Sequence, residues 1–227
     1  MKRPSKVQYF DTEGHENLPK VIKEIKNYLR SLQADGNTRF PRLVFLTSKG
    51  QGPLLAFNEL ASFNVEIIAV TFPRDFHVRT GEDEFYYPEI PEKLRKFFVG
   101  VEIPIVTGRL PFDPIDGADF HNREMQLLQD ALSIFGGSMP LAIQAVLQAT
   151  DSGFVQIGEQ VIAVTSDTAA LITASSTKHL LSKTCGLVVN EIICKPRFYT
   201  ITRRSQYPAP NRELLSKSPE ILDPESE

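Results

Sequence analysis

The chain has no tryptophan and, in 227 residues, only two cysteines and three methionines. Two thiols, Cys185 and Cys194, cannot build the disulfide framework of a small secreted domain, and their β-rich surroundings fit buried thiols in a reducing compartment. Charge of one sign is also missing. With 28 acidic and 25 basic residues the formal net charge is -3. Such a balance gives no sequence-independent attraction to nucleic acid or to an anionic membrane, so neither is expected as a partner. No apolar run approaches the ~20 residues of a bilayer span, and the opening Met1-Lys2-Arg3-Pro4-Ser5-Lys6-Val7-Gln8 lacks the apolar centre of a secretion signal. A cytoplasmic protein is the expectation. His15, His77, His121 and His179 are scattered, and neither His-x-x-x-His nor Cys-x-x-Cys occurs, so no metal site is expected. Gly-x-Ser-x-Gly and Gly-x-Gly-x-x-Gly are absent as well, which removes the usual hydrolase and dinucleotide fingerprints.

What is present is enough apolar material, 41% of the chain, to bury one substantial core. Val7 to Phe10 reads as a short strand. Leu18 to Leu32 reads as a helix, with Leu18, Val21, Ile22, Ile25, Tyr28, Leu29 and Leu32 at helical spacing and Lys20, Lys23, Lys26 and Arg30 on the other face. Leu43 to Leu46, Pro53 to Phe63 and Val65 to Phe72 then follow as strand, helix and strand. Apolar runs without alternation imply strands covered on both faces, hence an α/β domain with a parallel sheet covered by helices. Phe72 to Pro91 is irregular and carries the aromatic trio Phe85-Tyr86-Tyr87, either as a lid or as a surface excursion that seals the core. A short helix is expected at Glu92 to Phe98 and a strand at Val101 to Val106, where Pro104 restricts it to an edge or bulge. Two helices follow, His121 to Phe135 and Met139 to Thr150. Strands at Gln160 to Thr165 and Thr168 to Thr173 flank a turn at Ser166-Asp167 that makes this corner antiparallel. A short helix near Lys178 to Ser182 and a strand from Leu187 to Cys194 complete the domain, expected to span residues 7–197. Residues 1–6 form a tail, and residues 198–227, rich in proline, serine and charge, are expected to make no core.

The most informative stretch is Leu43-Val44-Phe45-Leu46-Thr47-Ser48-Lys49-Gly50-Gln51-Gly52-Pro53, an apolar strand ending in a small hydroxyl- and glycine-containing turn that opens a helix. The unpaired N–H groups of a first helical turn carry partial positive charge and favour a phosphate or carboxylate. Thr47, Ser48, Lys49, Gly50, Gln51 and Gly52 are therefore candidate ligand-binding residues, although the turn is too short for a Walker A loop and also serves as an ordinary strand-to-helix connection. Arg74, with His77 and Arg79, follows the next strand, and Arg109 follows the one after. In an open α/β sheet ligands gather at that carboxyl edge, so Arg74 and Arg109 are candidates for completing an anion pocket. Asp113, Asp116 and Asp119 read as a turn-rich acidic loop.

Tyr9-Phe10-Asp11-Thr12-Glu13-Gly14-His15-Glu16-Asn17 and the Thr47-Ser48-Lys49-Gly50 turn resemble the opening of the pyruvate kinase carboxy-terminal (α/β) domain-like family. Ala149-Thr150-Asp151-Ser152-Gly153, Glu159 to Val164, Asp167 to Leu171 and Asn190 to Arg197 resemble its closing motifs in the same order. The resemblance implies a three-layer domain without the catalytic barrel, so no kinase activity, and a phosphorylated ligand such as flavin mononucleotide, a nucleotide or a sugar phosphate held near Thr47, Ser48 and Gly50. It also implies subunit contacts, hence a homo-oligomer. The chain departs from the family where Gln51-Gly52-Pro53 replaces Glu-Thr-Ala, and where only Thr165-Ser166-Asp167 stands in place of a glycine-rich loop. The Phe-Gly-Gly-Val-Thr-Pro-like motif has no counterpart near Asp119 to Glu124. Three functions stay open: a phosphate-ligand binding domain, a flavin-dependent enzyme, and an assembly module whose ligand site has decayed.

Overall fold

The computed structural model describes residues 6–74, 76–79, 85–113 and 123–198. The expectations for residues 1–5, for Asp116, Asp119 and His121, and for nearly all of the carboxy-terminal extension lie outside these.

Helical spacing of apolar side chains produces α1 (Leu18–Ala34), in which Val21, Ile22, Ile25 and Leu29 are buried. Each such burial contributes about 1.5–3 kcal/mol. Four further helices are described: α2 (Gln51–Glu59), α3 (Glu92–Gly100), α4 (Arg123–Ser133) and α5 (Met139–Asp151). The strands are β1 (Gln8–Phe10), β2 (Arg42–Leu46), β3 (Ile67–Thr71), β4 (Val78–Arg79), β5 (Phe85–Tyr86), β6 (Ile105–Thr107), β7 (Gln160–Val164), β8 (Ala169–Thr173) and β9 (Val188–Pro196).

Seven of them form one sheet in the order β1-β9-β8-β7-β2-β3-β6, while β4 and β5 make a separate antiparallel pair. Pairing is parallel for β1 with β9, β2 with β7 and β3, and β3 with β6. The turn after Thr165 reverses the chain, so β8 runs antiparallel to both β7 and β9. The protein is thus α/β, with a mixed, mostly parallel sheet and an antiparallel corner.

Period-two alternation distributes the strand side chains between two clusters. Leu43, Phe45, Ala69, Ile162 and Val164 pack with residues of α1, α2 and α3, whereas Val44, Ile68, Val70, Val161 and Ala163 pack with α5. Helix α5 has no polar face to spare: even Gln144 and Gln148 are buried on it. Among the described residues, no helix is long and apolar enough to cross a membrane.

Local chemistry moved several boundaries. The expected strand from Val101 shrinks to Ile105–Thr107, because Val101 caps α3 and Glu102 adopts a left-handed φ of 59°. Pro104 offers no N–H to a ladder, and β6 is indeed the outermost strand. Helix α2 starts at Gln51 rather than Pro53, and the helix expected near Lys178 is a single 3-10 turn, Thr177–His179.

Candidate functional site

The Thr47-to-Gly50 turn is closed by its own groups. Thr47 N–H donates to the Val70 carbonyl at 2.9 Å, and the buried Thr47 hydroxyl accepts from Gly50 N–H at 2.9 Å. Gly50 has φ 86°, and a Cβ placed there would lie 2.6 Å from Leu94 Cδ2 and 3.2 Å from both Ile90 Cγ2 and Phe98 Cε2. Glycine at this position is therefore demanded by the fold. Gly52 is pressed in turn on Phe45, 2.8 Å from where its Cβ would be. Since Leu54 N–H already reaches the Gly50 carbonyl and Pro53 has no N–H, the donors that α2 leaves at its start are those of Gln51 and Gly52.

Gln51 and Gly52 line a cavity of about 250 Å³ at the carboxyl ends of β2, β3 and β7. Its polar wall carries Thr47, Ser48, Ser138, Thr165 and Ser166, and its apolar wall includes Phe45, Phe72, Phe76, Tyr86 and Leu141. Phe72 and Phe76 are stacked, 4.9 Å apart at 16°. No carboxylate belongs to this wall among the described residues. The location follows from topology: after β2 the chain leaves toward β3, after β7 toward β8, and the crevice opens where those directions part.

The β1–α1 link reaches the same place. Buried Asp167, in the β7–β8 turn, accepts from Gly14 N–H at 2.9 Å and from the Thr168 hydroxyl at 3.0 Å, which fixes the turn that carries His15 to the cavity rim. His15 keeps an exposed face, and desolvation of the remainder lowers its pKa below the ordinary 6.5. It is a neutral imidazole at pH 7, able to hydrogen-bond but adding no charge.

The candidate residues are only partly brought together. Thr47, Ser48, Gln51 and Gly52 share the cavity wall, while Gly50 sits beneath α3. Lys49 is turned aside: its Nζ donates to the Tyr87 carbonyl at 2.7 Å and lies 5.1 Å from the centre of the Tyr86 ring. The Tyr86 hydroxyl donates to Ser48 Oγ at 3.2 Å. Arg74 is exposed and off the wall. Arg109 is also off it, because β6 is separated from β2 by β3. Its guanidinium bonds the Asp113 carbonyl, and its own carbonyl accepts from Gln148 Nε2 at 2.9 Å. Among the described residues no group of three potential metal ligands comes together.

Sequence reasoning missed His15, Phe72, Phe76 and Ser138 as neighbours of the turn, and gave Thr165 and Ser166 only as the remnant of a ligand-cradling loop. The signals were local: a capping serine before Pro140, a two-residue hairpin turn, and aromatic residues just after an apolar strand. In comparisons with known proteins, no family model and no curated protein matches the chain.

Proposed function

We propose that this is a stand-alone, three-layer domain similar to the carboxy-terminal domain of pyruvate kinase. In this reading it binds a phosphorylated small molecule, a nucleotide, flavin mononucleotide or a sugar phosphate, without kinase activity. One observation carries the reading: Gln51 and Gly52, whose first-turn N–H donors have no partner within α2, line the same small cavity as the hydroxyl-bearing residues Ser48, Ser138, Thr165 and Ser166. A phosphate there meets the positive end of α2, with no carboxylate on the wall among the described residues. The rest of the ligand lies against Phe72 and Phe76. At about 250 Å³ the cavity is smaller than the ~300 Å³ at which pockets for larger ligands begin, so it holds one end of such a molecule.

Calorimetric titration with flavin mononucleotide, adenosine monophosphate and ribose 5-phosphate tests this. At least one binds saturably, and Ser166→Trp, which fills the cavity from a partly exposed turn, weakens it more than ten-fold while the melting temperature stays put. Absence of binding to all three would remove the reading.

Exposed Leu127, Ile134 and Phe135, on and just after α4, favour a second reading, a homo-oligomeric assembly module with a decayed ligand site. That reading requires a stable oligomer in which none of the three ligands binds.

A further inference from the structure

Two groups expected to receive a phosphate, the Ser48 hydroxyl and the Lys49 ammonium, are held by Tyr86, the last residue of β5 and paired there with Val78 of β4, and by Tyr87, the residue after it. Tyr86 donates its hydroxyl to Ser48 Oγ at 3.2 Å, and the Tyr87 carbonyl takes Lys49 Nζ at 2.7 Å. The Lys49 ammonium lies 5.1 Å from the centre of the Tyr86 ring, and Tyr86 is part of the cavity wall. The segment is anchored a few residues on, where Ile90 is buried against the underside of the same turn, 3.2 Å from where a Gly50 Cβ would be. Tyr86 and Tyr87 themselves are exposed, as are both of their bonds to the turn.

We infer that residues 86–91 form a strap that gates this site. Closed, the strap uses a phenol and a peptide carbonyl where an anionic ligand would place its oxygens. Opened about its buried anchor, it hands the Ser48 hydroxyl and the Lys49 ammonium to the ligand and widens the cavity. Bonds at the surface exchange readily with water, so the closed form is easily given up, whereas a phosphate offers Lys49 a charge-assisted partner that a neutral carbonyl does not. The inference rests on the phosphate-ligand reading above, and it adds that Tyr86 competes with the ligand rather than assisting it.

The test is Tyr86→Phe, which deletes the bond to Ser48 and keeps the ring under Lys49. Titrated with the same three phosphorylated probes, this variant binds about five-fold tighter than the wild type, the equivalent of ~1 kcal/mol. Amide hydrogen exchange of residues 86–91, measured without any ligand, quickens in Tyr86→Phe and in Lys49→Ala, and it quickens in the wild type when probe is added. Unchanged or weaker binding by Tyr86→Phe, or slower exchange of the strap on adding probe, overturns the gate and leaves the binding reading standing. If no probe binds either the wild type or Tyr86→Phe, the binding reading falls and the gate falls with it.

Discussion

The two ends of β2 meet hollows of opposite character. At the amino end Arg42 opens the strand and borders a hollow of about 1000 Å³. Its guanidinium is answered at once by Glu66 at 2.6 Å, Glu159 at 3.2 Å and the Phe154 carbonyl at 2.9 Å. Tyr28 borders the same hollow, its pKa pushed up to about 12 by burial and then by the Glu191 carboxylate it bonds. At the carboxyl end the hollow is a quarter as large, about 250 Å³, and has no carboxylate on its wall among the described residues, but it is lined by Gln51 and Gly52, whose N–H groups have no partner within α2. Size therefore misleads and unsatisfied polarity informs: the charge of Arg42 at the amino end is matched within the protein, whereas the carboxyl end has donors to offer to something else.

The largest expected break in this contrast is Gly50→Val. Left-handed backbone and the approach of Leu94, Ile90 and Phe98 leave no room for a side chain, so the variant loses about 2–4 kcal/mol of stability by strain and overpacking. Denaturant unfolding reads this directly, and a loss below about 1 kcal/mol would show that the turn yields. A smaller effect is expected at the opposite end. Arg42→Ala removes ion pairs at a partly exposed side chain and costs about 1 kcal/mol after solvent screening, with ligand affinity unchanged. A drop in affinity there would erase the distinction between the two ends.

The sheet was legible because its strands are short apolar runs bounded by turn residues, and α1 because its period is unambiguous. Ser166-Asp167 betrayed the antiparallel corner. Pro104 marked Val101 to Val106 as an edge strand, and β6 is one, but its start was misplaced because Val101 caps α3 and Glu102 takes a left-handed φ. The site was legible only where it is contiguous in the chain. Thr47, Ser48, Gln51 and Gly52 lie on one turn, but Thr165, Ser138 and His15 arrive from separate connections, brought in by β2–β7 pairing, by the start of α5 and by the Asp167 bond to Gly14. Arg74 and Arg109 follow strands as anticipated, yet the distance of β6 from β2 in the strand order directs Arg109 into closing its own loop. Gly50 illustrates a further limit: a glycine in a phosphate-like turn was required by Leu94, Ile90 and Phe98, none of which adjoins it in sequence.

The most direct test of the central claim is to follow backbone amide resonances of the full chain while titrating flavin mononucleotide, adenosine monophosphate and ribose 5-phosphate in turn. The account predicts saturable shifts of the Gln51 and Gly52 amides for at least one of the three, with Arg42 and Gly158 at the amino end unmoved. Shifts confined to the amino end, or Gln51 and Gly52 stationary while a ligand binds, would contradict it.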